Sequence, residues 1–365
     1  FSQTSVIIVP NIRRFVNQRR YCFIYIYVLK SRHKYFNKRV RLMEKTNTKR
    51  NTVIGICLFA VVFGALLALA TVYDLRVSEI LVRLDAGAYF TNSVFAAVFE
   101  CIGSCPVYLF LSIAFACIYT NTKRSKIKPL RILGSIASNI ASVVCMYILV
   151  TDTVGYAERH ADIESFTSTV FAKVIFVFIA IAFGELICNA FSKVDDKTAK
   201  ALLKYSFIII FAAAFANLIV NIIKNIMCRP RYRTMNFLGD TEHTNFHRWY
   251  QKYTMPTEES PLYIPSVNGH KVGKDAYRSF PSGHTCAAGT TYALLALPHL
   301  FKKYNTVKYK VLFYFVSVVF TGTVAISRIV CGAHFFSDVL VGGTSMFLGV
   351  MLAIKIFVRK DYERV

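Results

Sequence analysis

Residues 202–227 read LLKYSFIIIFAAAFANLIVNIIKNIM and run straight into Cys228-Arg229-Pro230-Arg231. Lys204 and Lys224, one near each end, are the only charged residues in 202–227. A bilayer-crossing helix needs roughly 20 apolar residues, so this block reads as a membrane span that ends on a cluster of cations. The rest of the chain follows the same pattern. Its 365 residues are 55% hydrophobic with a mean hydropathy of +0.44, and the apolar residues are gathered into long blocks. That distribution excludes an ordinary soluble enzyme, a disordered chain and a disulfide-rich secreted domain.

Working outward, eight blocks are apolar and long enough to be expected as spans: 53–73, 103–119, 132–151, 167–190, 202–227, 285–301, 311–327 and 336–358. The expected fold is therefore all-α, a polytopic membrane helix bundle of about eight transmembrane helices. The net charge of +24 does not point to nucleic acid. Residues 1–50 hold thirteen Lys or Arg against one acid, Glu44, and the other basic clusters sit in short loops. Lys123, Arg124, Lys126, Lys128 and Arg131 lie in one. Lys193, Lys197, Lys200 and Lys204 lie in the next, and Lys302, Lys303, Lys308 and Lys310 in a third. The intervening loop 152–165 is acidic instead. Under the positive-inside rule both termini are expected to be cytoplasmic. Met43 is expected to be the natural start, with residues 1–42 an upstream or poorly structured stretch. Residues 74–88 read either as an amphipathic surface helix or as a solvated connector. The ten Cys form no disulfide framework; Cys101 and Cys105 are expected to be unpaired thiols, and no Cys/His spacing reads as a metal site.

Three short patterns fall at the outward ends of spans. The first is Lys224-x4-Arg229-Pro230-Arg231. The second is Pro281-Ser282-Gly283-His284, and the third is Ser327-Arg328-x5-His334-x3-Asp338. Charged groups at membrane depth are costly and mark function. The surplus here is cationic, and Arg forks suit phosphate oxygens. Ser282-Gly283 stands just before a helix start, where a bare backbone and first-turn amides favour anions. His334 and Asp338 share a helix face at a spacing of four. The carboxylate is then able to hold one ring nitrogen and free the other as a nucleophile. His284 remains as a general acid.

Together these patterns closely resemble the type-2 phosphatidic acid phosphatase superfamily, the lipid phosphate phosphatases, which also contains the vanadium haloperoxidases. The family pattern is Lys-x6-Arg-Pro, then Pro-Ser-Gly-His, then Ser-Arg-x5-His-x3-Asp. The second and third blocks match in full. In the first, Lys224 and Arg231 have the family spacing, but Tyr232 replaces the usual Pro. The resemblance covers residues 202–358 and implies a six-helix core, so two spans before it would be an addition. It implies catalytic roles for His334, His284 and Asp338, and phosphoryl binding by Lys224, Arg231, Ser282, Gly283 and Arg328. It also implies a phosphohistidine intermediate, no metal and no cofactor.

The organisation expected is a basic tail over 1–51, membrane helices over 52–190, a phosphatase core over 191–358 containing an outer loop at 228–280, and a short tail at 359–365. The expected activity is hydrolysis of lipid phosphate monoesters or pyrophosphates at the outer face of a plasma membrane, or at the lumenal face of an endomembrane. Lipid phosphotransfer, haloperoxidase chemistry and a non-catalytic lipid-binding or transport role are the competing readings. The partners are a lipid phosphate and the bilayer, with no nucleic acid. Arg229 is expected to face solvent or headgroups. Asn217, Asn221 and Asn225 recur on one helix face, either for interhelical hydrogen bonds or as a polar wall leading to Lys224. Trp249 reads equally as an interfacial anchor or as part of a lid.

Overall fold

The structure is a computed structural model that describes residues 50, 53–161, 166–358, 362, 364 and 365. The Met43 expectation and the basic tail before residue 50 lie outside the described residues. Two compact units divide the chain, Phe1–Leu66 and Leu67–Val365. In the first, helix α1 (Val53–Leu81) begins as an apolar rod on which Phe59 stacks against Phe63.

The second unit continues α1 and adds α2 (Val94–Ile102), α3 (Cys105–Lys123), α4 (Lys128–Ala161), α5 (Val170–Ser192), α6 (Asp196–Met227) and α7 (Tyr232–Phe237). A two-stranded hairpin, β1 (Ser266–Val267) and β2 (His270–Lys271), interrupts the long loop. Then come α8 (Gly283–Ala288), α9 (Leu297–Leu300), α10 (Val307–Val330) and α11 (Phe336–Phe357). Among the described residues seven helical stretches are long and apolar enough to cross a membrane, with α2–α3 and α6–α7 each counted as one. The fold is the all-α membrane bundle expected.

The sixth expected span, 285–301, is built differently. It passes from α8 through a 3₁₀ stretch, Gly289–Ala296, into α9. The cause is close packing of small residues. A Cβ at Gly289 would stand 3.0 Å from Met346 Cβ on α11, and Thr290, Thr291 and Pro298 are weak helix formers. Two boundaries also move. The helix α4 runs through most of the expected loop 152–165, and α1 runs past Tyr73 to Leu81. That extension is helical and packs one polar face inward: Asp74 and Ser78 are buried while Arg76 and Ile80 are exposed.

The core sits where α6, α3 and α11 meet. Ala212, Ala213, Ala216 and Val220 of α6 pack with Met346, Val350 and Ala353 of α11. Without a hydrophobic drive between helices in lipid, small residues are what let backbones approach; a Cβ at Gly349 would reach 3.2 Å from Ala212 O. On their other faces α6 and α10 expose Leu218, Ile222, Ile226, Val316 and Val319, as lipid contact requires. Asp195 caps α6, its Oδ1 accepting from Lys197 N (2.9 Å) and Thr198 N (3.0 Å). At the other end Cys228 turns left-handed (φ 49°), which ends the helix and turns Arg229-Pro230-Arg231 into the site. Cys101 and Cys105 are free thiols.

Candidate active site

Four elements bring the expected residues together. The end of α6 supplies Lys224 and the turn after it supplies Arg231. The N-terminus of α8 supplies Ser282, Gly283 and His284. Arg328 comes from the end of α10, and His334 with Asp338 come from the turn into α11. A Cβ on Gly283 would stand 3.7 Å from Lys224 Nζ, so ammonium and bare backbone face each other. His284 lies within electrostatic reach of Arg328, His334 and Lys224. Among the described residues its Nε2 is buried without a hydrogen bond, and its ring meets Tyr156 edge-on at 4.9 Å.

His334 is 1% exposed. Its Nδ1 lies 2.7 Å from Ser279 O and 3.6 Å from Asp338 Oδ2. The nearer partner is thus a backbone carbonyl that the sequence reading did not name. An Nδ1–H donated to that carbonyl selects the tautomer whose Nε2 carries the lone pair. Burial pushes the His334 pKa down to about 3; Asp338 opposes the shift, and Arg231, Lys224 and Arg328 reinforce it. The imidazole is neutral at neutral pH.

Asp338 is fully buried and saturated. Oδ1 accepts from Arg229 Nη1 at 2.6 Å, and Oδ2 accepts from Phe335 N at 2.8 Å and from Ser279 Oγ. The bond to Phe335 N is the side-chain half of a capping box that starts α11. Its own carbonyl accepts from Ser282 N (2.9 Å), so the Ser282 amide is committed to holding the two motifs together. Ser282 Oγ caps α8 through Thr285 N. The close approach requires Gly342, where a Cβ would fall 2.3 Å from Ser282 O.

Arg229 overturns the sequence expectation. It is 1% exposed and bridges Asp338 to Asp74 of α1, donating to Asp74 Oδ2 at 3.0 Å and to Ser337 Oγ at 2.9 Å. Asp74 in turn accepts from Ser337 N at 2.8 Å and from Ser337 Oγ. Two further acids hold the other arginines. Asp275 accepts from Arg231 Nη2 at 2.7 Å, and Glu100 of α2 pairs with Arg328 Nη1 at 2.8 Å and with His160 Nε2 at 3.0 Å. Burial would raise the Asp275 pKa, but Arg231 and Arg233 hold it well below the carboxylate range. A counter-ion thus fixes the position of Arg231 and of Arg328, while Lys224 donates to Arg278 O at 3.0 Å. Asp74, Glu100, Asp275 and Ser279 carry no motif of their own. Only their proximity to the motif cations in space reveals them.

The long loop covers this centre. His247 O accepts from Arg229 Nε at 2.6 Å, Phe246 packs on Phe335, and Trp249 donates to Thr71 Oγ1 (2.8 Å) and lies on Phe280. Trp249 thus fastens the loop to α1 above the site. A cavity of about 260 Å³ opens beside Lys224 and His284 and is lined also by Asn217 and Asn221. The amide Nδ2 groups of both Asn bond within α6, to Ala213 O and Asn217 O, which fits the polar-wall reading for these two positions.

The architecture and the site define a multi-helix membrane protein with a histidine-centred, cation-rich pocket. Residues 205–363 match the family model of the PAP2 superfamily, in agreement with the motif resemblance. The match contains every expected site residue from Lys224 to Asp338 and leaves α1–α5 outside it. The match to this superfamily model and the membrane-type helices support a membrane phosphatase-type function. No curated protein and no solved structure matches the chain.

Proposed function

We propose that the protein hydrolyses phosphate esters at the extracytoplasmic face of its membrane by a phosphohistidine mechanism, with lipid phosphates as the principal substrates. Phosphoryl oxygens are bound by Lys224, Arg231, Arg328, the Gly283 amide and the Ser282 hydroxyl. His334 Nε2 attacks phosphorus while the bond to the leaving oxygen breaks. Its Nδ1–H stays on Ser279 O, and the Asp338 carboxylate stabilises the charge that develops on the ring. The proton for the leaving alkoxide enters with the substrate's phosphate monoanion and is relayed through His284, which then takes one from water as that water attacks the phosphohistidine and returns it to the departing phosphate. Inorganic phosphate leaves and both histidines return to their starting forms.

The observation that carries this reading is the state of His334: neutral, fixed through Nδ1, with no hydrogen bond to Nε2 among the described residues. A purely structural histidine would have no reason to sit among Lys224, Arg231 and Arg328. The membrane substrate rests on the helices around the site, which keep substrate and catalyst in one bilayer. The test is phosphate release by the purified protein in detergent with EDTA present, wild type beside His334→Ala, and mass spectrometry of the peptide bearing His334 for a phosphoryl adduct. Release that the substitution abolishes supports the mechanism. Full activity in His334→Ala refutes it, and a new phospholipid formed without free phosphate turns the reading to phosphotransfer.

A further inference from the structure

The family match begins at residue 205, yet one side of the cavity beside His284 is made by residues before it. Ser104, the residue that precedes α3, and Asp152 and Tyr156 of α4 line the space that ends at Lys224 and His284, together with Asn217 and Asn221 of α6. In the mechanism above His284 protonates the leaving oxygen, so the room next to it holds the alcohol half of the substrate. That room is small, below the roughly 300–1,000 Å³ of sites for drug-sized ligands. Its apolar lining residues, Val107, Val220 and Ala287, are short. A lipid tail starting at the ester oxygen would bury several polar groups against methylenes, which is unfavourable unless each finds a partner.

The donors and acceptors narrow the choice. Asp152 accepts from Ser104 Oγ through Oδ2, and no hydrogen bond among the described residues reaches Oδ1. Asn217 spends its Nδ2 on Ala213 O and keeps its carbonyl oxygen. Among the described residues Asn221 Oδ1 receives one long contact, 3.4 Å from Arg278 Nη2. The wall therefore offers acceptors, one of them a carboxylate, and the tyrosyl hydroxyl of Tyr156. A second anionic group would be repelled by Asp152. A cationic headgroup would meet Lys224 and Arg278 in the same space. Neutral hydroxyls satisfy the wall best, since each is able to donate to one oxygen and accept from another.

We propose that this chamber selects phosphate monoesters whose alcohol carries further free hydroxyls, a polyol, with Asp152 and Asn217 as specificity residues. The proposal rests on the phosphatase reading and narrows its substrate. The same chemistry comes from two sources: a soluble polyol phosphate, or a lipid whose headgroup ends in a polyol phosphate.

The experiment measures kcat/KM for phosphate release by the full chain in detergent micelles. One arm uses the soluble esters glycerol 3-phosphate and myo-inositol 1-phosphate. A second uses phosphatidylglycerol phosphate and a third phosphatidylinositol 4-phosphate, both in mixed micelles. The comparison arm uses octyl phosphate and phosphatidic acid, which have no free hydroxyl on the alcohol. A site built to hydrogen-bond a hydroxyl discriminates strongly against an analogue lacking it, and the expected preference for the polyol esters is about tenfold or more. The soluble and lipid polyol arms distinguish the two sources, and a preference in either supports the proposal. Asp152→Leu is expected to bring the ratio close to one, and Asp152→Asn to retain part of it. Asn217→Leu, which removes only a bond within its own helix, is the second variant should Asp152→Leu not fold. Equal or better turnover of octyl phosphate and phosphatidic acid by the wild type overturns the polyol proposal alone. A preference unchanged in the folded Asp152 and Asn217 variants does the same. Release from no ester overturns it together with the phosphatase reading.

Discussion

Replacing Asp74 with alanine tests whether the N-terminal helices hold the Asp338 carboxylate to which we assign a catalytic role. Asp74 is 2% exposed and accepts three hydrogen bonds, from Arg229 Nη2, Ser337 N and Ser337 Oγ. Each charge-assisted bond of this kind is worth about 1.5–3 kcal/mol. Arg229 keeps Asp338, Ser337 Oγ and His247 O as partners in the variant, so the loss is smaller than three such bonds. Removing one member of a buried pair costs about 3–5 kcal/mol, and we expect Asp74→Ala to fall in that range. The structural consequence lies at the first turn of α11. Ser337 loses its anchor there, while Asp338 keeps Arg229, Phe335 N and Ser279 Oγ, so its displacement comes through Ser337 and through an Arg229 held on one side only. A misplacement of about 1 Å at a reacting group costs about a hundredfold in rate, so kcat should fall about ten- to a hundredfold. The assay is denaturant unfolding in detergent micelles beside phosphate release. Arg76→Ala on the same helix is the control. Its salt bridge to Glu79 leaves the Arg76 side chain 70% exposed, and such pairs contribute at most about 1 kcal/mol. If Asp74→Ala is within about 0.5 kcal/mol of wild type and fully active, the buried network does not support the site and the argument fails.

Gly342→Ala is expected to abolish most phosphate release, because its Cβ would lie 2.3 Å from Ser282 O and push the Ser282-Gly283-His284 turn away from Asp338; wild-type kinetics would refute that packing argument. Glu100→Gln should raise the KM for phosphate esters by freeing Arg328 from its 2.8 Å ion pair and letting the guanidinium leave its position. An unchanged KM would mean that Arg328 is held by other contacts. For His334, the folded-state pKa of about 3 lies below the unfolded value of about 6.5. Between those values the unfolded chain binds the extra proton, so its contribution to stability is intact above about pH 6.5 and is lost as pH falls toward 3. Unfolding free energies at pH 7, 6, 5 and 4 should decline less steeply in His334→Gln than in wild type. Identical slopes would show that His334 is not a buried neutral group.

Much of this protein was legible in the linear chain because bilayer insertion is governed by local composition. A run of about 20 apolar residues is sufficient to specify a span, and seven such stretches stand where the hydropathy blocks lie. The eight motif residues, Lys224 through Asp338, were legible because their spacing ties them to helix ends, and those ends converge. The segment 285–301 misled because hydropathy does not register backbone packing: Gly289 lies against Met346 and the helix tightens to 3₁₀ there. Arg229 was expected to face solvent or headgroups, and its sequence neighbours, Met227, Cys228, Pro230 and Arg231, include no acid that would hold it in the interior. Its real neighbours, Asp74 and Asp338, are 155 and 109 positions away. Only the tertiary structure decided which acid holds which cation, that the Ser279 carbonyl orients His334, and that α3 and α4 wall the chamber beside His284. Those choices depend on a few ångströms between side chains brought together from distant segments. Short-range pattern carries no record of such distances, whereas it does carry the span and the motif.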